Sequence, residues 1–321
     1  MATTVDVSPD GARDGRVARM SDHPADGQPG GPPPSAGRAI GFAAAAFAFV
    51  VWGFFPIYFK RLDELSSLEI LAWRIVCSFA VIAPALLIRP GPRALVRRLA
   101  TLRRRWPIVA ATALISVNWL VFILAVTDGR VIEAGLGYFL VPLVNSGLGI
   151  LFFGERPNRW RIGALAVAAA GMALAFLVAG TLPFVSLTLA ATFGLYGAVR
   201  KASELDSATG LLLETALLVP LAGIYLLVAG TSPATLDGAT LGWLLASGVL
   251  TLAPLFAVVV AARRLEMGTV GVFQYITPTM QLGFAVWLYG EHFDAARTVA
   301  LASTLVAVML WLAGARAPRR A

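Results

Sequence analysis

The sequence predicts an all-α integral membrane protein, with ten transmembrane helices arranged as two inverted five-helix repeats. Three observations carry the prediction. Of the 321 residues, 58% are hydrophobic and only 14% charged, and the apolar residues fall in runs of about 20, the length that crosses a bilayer. A pattern then recurs 136 positions on: Gly135, Pro142, Gly147, Gly154 and Glu155 return as Gly271, Pro278, Gly283, Gly290 and Glu291. Finally, five apolar spans separate the two Gly-Glu pairs. An odd number makes the second copy enter the membrane in the opposite sense.

Taken in order, residues 1–37 are polar, hold five Asp against three Arg and end in a proline-rich stretch (Pro29, Pro32, Pro33, Pro34). They lack the apolar core of a signal peptide and are expected to be a disordered cytoplasmic tail. The first repeat, 38–180, holds spans at 39–59, 68–88, 106–126, 131–153 and 160–179. The second, 181–316, holds spans at 182–200, 208–229, 240–261, 267–289 and 296–314. Gly163, Gly171, Gly194 and Gly197 permit close helix approach. With the N-terminus inside, 21 of the 26 Lys and Arg fall in cytoplasmic segments. Lys60, Arg61, Arg130 and Arg297 fall outside, and Arg74 lies within a span. That asymmetry places both termini in the cytoplasm. It also accounts for the run Arg93, Arg97, Arg98, Arg103, Arg104 and Arg105 as a topology anchor, and for the net charge of +8 without nucleic acid. The excess of Arg over Lys fits a GC-rich bacterial genome, hence a bacterial inner membrane.

Charged side chains inside a span are costly and mark functional sites by default. Arg74 in span 2 and Glu214 in span 7 each sit about six residues from a span end, roughly 9 Å into the apolar layer. Aligning Lys60 with Lys201 sets Trp73-Arg74 on Glu214-Thr215, so the two charges hold near-equivalent places in the two halves. They either approach one another across a central cavity or each face its own side. Arg74 is a candidate for holding an anionic group. Glu214, and with it Glu133 at the start of span 4, are candidate coupling residues, because a carboxylate in a poorly hydrated site can carry a proton. Glu133 is also placed to cap its helix, where the dipole favours a carboxylate.

Asn118-Trp119 in span 3, Tyr138 and Asn145 in span 4, and Gln274, Tyr275 and Gln281 in span 9 gather polar and aromatic groups. The first six are candidate substrate-binding residues; each could equally serve interhelical hydrogen bonding. Pro142 and Pro278 fall midway along spans 4 and 9, where proline removes a backbone hydrogen bond and kinks a helix. Glu155 and Glu291, each after a Gly at a span end, are candidate gating groups or partners for a neighbouring helix N-terminus. Inverted repeats around a midplane site are how many secondary transporters are built.

These residues give the chain a resemblance to the EamA-type branch of the drug/metabolite transporter superfamily, and within it to the RarD-type subfamily, over roughly residues 40–312. The matching stretches are Trp52-Gly53 with Pro56, Tyr58 and Lys60; Glu69-Ile70-Leu71 with Arg74; Asn118-Trp119; and Glu133-Ala134 with Leu136-Gly137-Tyr138-Phe139 and Pro142-Leu143. They continue with Gly154-Glu155-Arg156; Gly194 with Tyr196-Gly197 and Arg200-Lys201; Glu214 with Pro220; Gln274-Tyr275-Ile276 with Pro278-Thr279; and Gly290-Glu291. The resemblance implies ten helices in two inverted halves and transport of small solutes. Departures are Trp73 where relatives often carry His, Gly135 where they carry Ser, and Thr127 and Val141 where they carry Asn.

The expected function is therefore secondary-active transport of a small solute by alternating access. An amino acid or an amphipathic drug such as chloramphenicol is the candidate solute, and a proton the candidate coupling ion. Facilitated diffusion, exchange and a non-transporting scaffold are the alternatives. The expected partners are the solute and the lipid bilayer. An enzyme is not expected, since no HExxH, GxSxG, Walker A or GxGxxG pattern occurs. No cofactor or metal is expected, and the single cysteine, Cys77, allows neither a disulfide nor a CxxC pair.

Overall fold

The computed structural model describes residues 34–88, 93, 97, 105–154, 158–201, 203, 205–265 and 267–316. Among them there is no strand, and the helices are α1 (Pro34–Gly53), α2 (Phe55–Lys60), α3 (Ser67–Ile88), α4 (Trp106–Thr127), α5 (Val131–Phe153), α6 (Arg159–Ala179), α7 (Phe184–Lys201), α8 (Ser207–Ala229), α9 (Gly238–Ala262), α10 (Met267–Phe273), α11 (Ile276–Trp287) and α12 (Ala295–Arg316). These make the ten spans, with α1–α2 as the first and α10–α11 as the ninth. Eight spans are long and apolar enough to cross a membrane by themselves. The other two are the 18-residue α7 and the interrupted α10–α11. The first helix starts at Pro34, inside the stretch expected to be tail; a proline in the first turn has no N–H to leave unpaired. Residues 1–33, most of the arginine run after span 2, and Glu155 lie outside the described residues.

The helix ends follow local chemistry. Gly154, Gly180 and Gly230 close α5, α6 and α8 at φ of 63°, 67° and 74°, a conformation that costs glycine nothing. Asn158, Asp206 and Asp237 cap α6, α8 and α9 by accepting backbone N–H bonds. Asn158 also donates through Nδ2 to the Gly314 carbonyl of α12 at 2.7 Å.

Proline breaks two spans. Pro56 has no N–H, which frees the carbonyl of Trp52; the chain turns at Phe54 and restarts as α2. Gln281 Nε2 of α11 donates to that Trp52 carbonyl at 3.4 Å, and Thr277 Oγ1 donates to Phe49 O at 2.7 Å. In the ninth span the helix lapses at Gln274-Tyr275, at the carbonyl that Pro278 leaves without its usual donor. The repeat-matched Pro142, by contrast, sits inside an unbroken α5. Equivalent prolines thus interrupt only the second repeat.

The packing has the pairing expected of two equivalent halves. α5 on α7 is mirrored by α11 on α1, α4 on α7 by α9 on α1, and α3 on α9 by α8 on α4; α3–α8, α5–α11 and α6–α12 pair across the halves. Close approach rests on glycine: Gly171 faces the Ser303 side chain of α12, Gly248 faces the Cys77 backbone of α3, and Gly194 faces Val144 of α5. Within lipid, such backbone-level packing and interhelical hydrogen bonds hold helices together.

Candidate substrate cavity

Arg74 is buried inside the bundle, a third of the way along α3. Its Nε donates to Thr251 Oγ1 of α9 at 3.0 Å. Its guanidinium stands 4.2 Å from the ring centre of Trp119 and 5.3 and 5.6 Å from those of Phe55 and Phe59. The charge is thus held by aromatic faces, and among the described residues no carboxylate pairs with it. Asn118, beside Trp119, donates Nδ2 to Thr192 Oγ1 at 2.9 Å and to Leu189 O at 3.1 Å, and accepts from the Tyr138 hydroxyl at 3.2 Å. Arg74, Asn118, Trp119 and Tyr138 therefore form one cluster of α3, α4 and α5, anchored on α7.

Glu214 belongs to a different group. It is 1% exposed, accepts from Tyr196 OH at 3.2 Å through Oε2, and has Oε1 3.5 Å from Arg200 Nη1, an ion-pair distance without hydrogen-bond geometry. Gly210, one turn before Glu214 on α8, lies where the Arg200 guanidinium packs; any side chain there would occupy the guanidinium's place. Of the two arrangements open for Arg74 and Glu214, the structure shows each charge with its own partners and no pair between them. A chain of rings, Phe122–Tyr138–Phe193–Tyr196, edge-to-face in its first two contacts and tilted in the third, runs from the first group to the second at centroid spacings of 5.6, 5.9 and 6.2 Å.

The face that the Lys and Arg distribution assigns to the cytoplasm, hereafter the inner face, carries a cavity of about 380 Å³. Pro142, Asn145 and Gly149 of α5, Gly197 and Lys201 of α7, Gly271 and Gln274 of α10, Arg161 of α6 and Trp311 of α12 line it. Of the candidate substrate-binding residues, Asn145 and Gln274 reach this space, together with the kink candidate Pro142. Tyr138, Pro142, Asn145 and Gly149 share one face of α5 at helical spacing, so the aromatic cluster and the cavity lie along one track. Tyr275 stacks on Phe139 with centroids 5.9 Å apart. None of the departures Trp73, Gly135, Thr127 and Val141 lines the cavity; Thr127 instead bonds Ser67 Oγ at 3.0 Å.

The opposite ends of the same helices are tied together. Glu291, after α11, accepts the backbone N–H of Val131 at 2.7 Å and of Ile132 at 2.9 Å, binding the first turn of α5. Glu133 stands in that turn but makes no cap bond there. It pairs with Arg130 at 2.8 Å and with Arg297 at 3.4 Å. Lys60 Nζ donates to Thr127 O at 3.1 Å, and the Thr231 hydroxyl donates to Glu69 across α8 and α3.

The EamA-like transporter family model matches residues 39–177, the first five spans. The chain is 38% identical to an uncharacterized transporter of Vibrio cholerae, over 88% of this chain and 96% of that protein. It is 38% identical to protein RarD of Salmonella typhimurium, over 85% and 94%, and 30% identical to chloramphenicol-sensitive protein RarD of Pseudomonas aeruginosa, over 83% and 90%. The chain belongs to the EamA-like transporter family. The RarD proteins, like the uncharacterized transporters, match it over most of their own length. A solved protein crystal structure matches the same fold with TM-score 0.55 at 19% identity, over 88% of this chain and 99% of that one.

Arg161 and Trp311 were not singled out in the sequence; Tyr196, Arg200 and Lys201 stood there only as stretches of the family resemblance and, for Lys201, as the residue that aligns the two halves, not as site residues. Arg161 counted only as a topology signal, and nothing in the spacing of Trp311 sets it apart from other interfacial aromatics.

Proposed function

We propose that this family member is a secondary-active transporter of a small organic solute, residing in a bacterial inner membrane with both termini cytoplasmic, and working by alternating access rather than as an enzyme. The observation that carries this reading is one-sidedness. A cavity of about 380 Å³ lies between α5, α7, α10 and α12 at the inner face, while Glu291 ties the outer end of α5 to the segment after α11. Such a shape suits one of two access states. In this reading Arg74, Asn118 and Tyr138 meet the solute further along the track, an amino acid or an amphipathic drug of the chloramphenicol type. Glu214 exchanges a proton against its contact with Arg200.

A thermal-shift screen on purified protein in detergent tests the reading, with wild type beside Arg74→Ala and a panel of amino acids, nucleosides and chloramphenicol-like drugs. A solute that stabilises wild type and not the variant, and that also shows counterflow in proteoliposomes, is the expected result. Absence of counterflow for every stabilising solute would sink it.

A further inference from the structure

We propose that the inner cavity is an oxyanion site, binding the carboxylate or phosphate of an organic anion through Arg161, Lys201 and the indole N–H of Trp311. Two buried N–H donors, Arg161 Nε and Trp311 Nε1, have no acceptor among the described residues, and both residues line the same cavity. Buried donors are rarely left unpaired, and each costs about 1–3 kcal/mol when it is. Two in one cavity mark a place for an acceptor that the described residues do not supply. The positive-inside rule explains why Arg161 is basic; it does not explain a buried, unpartnered Nε.

The donors are positioned, not incidental. Asn158 caps α6 by accepting from the Arg161 N–H at 3.0 Å and simultaneously donates to Gly314 O of α12. Arg161 lies three residues after Asn158, and Trp311 three residues before Gly314. One bridge thus sets both donors, and the Arg161 guanidinium stands 5.9 Å from the Trp311 ring centre. Among the described residues the lining holds two cationic side chains and no carboxylate. Asn145 and Gln274 add amide groups, and a Cβ on Gly271 would meet nothing within 4 Å. The volume falls in the range of small-molecule sites. An anion with a flat apolar body fits: its oxygens toward Arg161 and Lys201, its body along Trp311 and Pro142. The status of that anion as cargo rests on the transporter reading; the binding does not.

Equilibrium binding to the purified full chain tests the proposal, with 3-phenylpropionate and its neutral amide as matched probes. Wild type is expected to bind the acid at least about tenfold more tightly than the amide. Arg161→Gln brings the ratio to within about twofold, while Arg161→Lys retains part of it. Equal binding of the two probes by wild type, or an unchanged ratio in a folded Arg161→Gln, overturns the proposal. Gly271→Leu fills the cavity with every cation left in place and is expected to abolish binding of both probes; full binding by that variant overturns the location. In nanodiscs, acid binding is expected to be the same with phosphatidylcholine and phosphatidylglycerol. Its loss in phosphatidylglycerol would assign the site to a lipid headgroup and overturn the soluble-anion proposal. Binding without counterflow in proteoliposomes supports the site and counts against the transport reading alone.

Discussion

Glu214 of α8 and Arg200 of α7 face each other at 3.5 Å in the inner half of the bundle, across a gap left by Gly210. Removing one partner of a buried pair strands the other, at a cost of about 3–5 kcal/mol. Arg200→Met should therefore lower the melting temperature, and Arg200→Met with Glu214→Gln should regain much of the loss. Gly210→Ala should resemble Arg200→Met, because its methyl group takes the guanidinium's place. If Gly210→Ala melts like wild type, the geometry described for Arg200 is wrong.

Glu214→Gln keeps the Tyr196 contact and removes the charge. Uptake or efflux in proteoliposomes is expected to continue down a solute gradient but to lose its response to an imposed pH gradient. A retained response would remove Glu214 from coupling.

Glu291 makes two charge-assisted bonds to the start of α5, each worth about 1.5–3 kcal/mol. Glu291→Ala should loosen the outer end. A cysteine placed at Asn118 in a Cys77→Ser background should then be modified faster by a membrane-impermeant reagent applied from outside, by about tenfold or more. No acceleration would show that other outer contacts carry the closure.

Gly171 meets the Ser303 side chain where α6 packs on α12. Gly171→Ala should cost about 1–3 kcal/mol through overpacking, and Ser303→Gly in the same chain should relieve it. Additive losses in the double variant would contradict the contact.

Asp237 caps α9 outside the membrane layer, and its hydrogen bonds, first that with the Thr240 side chain, hold its carboxyl below the usual value. A depressed carboxyl stabilises the fold above the unfolded value of about 3.9 and loses that contribution as pH falls through its folded value. Asp237→Asn, which still caps, should melt closer to wild type at pH 3 than at pH 7. An equal gap at both pH values would refute the assignment.

The architecture was legible in the sequence because lipid admits only a narrow choice of backbone. Spans of fixed length, a basic bias on one side and the 136-residue echo were enough to place ten helices. The site was legible in part. Arg74, Asn118, Trp119 and Tyr138 stood out as polar or aromatic groups in apolar runs, and they do converge. The partner of Glu214 was not legible, since Arg200 sits at a helix end where arginine is unremarkable. Only the packing of α7 against Gly210 turns it inward. Arg161 and Trp311 were hidden for a similar reason: their meeting depends on α6 lying against α12, a contact between residues 150 positions apart. The unequal effect of Pro142 and Pro278 was also invisible, because a proline states which hydrogen bond is lost and not whether the helix yields.

The carbonyl of Trp52, orphaned by Pro56, finds its donor in Gln281 of another span, and the neighbouring Phe49 carbonyl takes Thr277. Gly53 seats Met280 at the same level. The kink in α1 is therefore not a free joint. Any movement of α11 away from α5 must carry α1 along or expose a bare carbonyl to hydrocarbon, where no water can replace the lost donor. Two elements more than 220 residues apart thus behave as one rigid lever, and the fold chooses its moving part by where it has mended its own backbone.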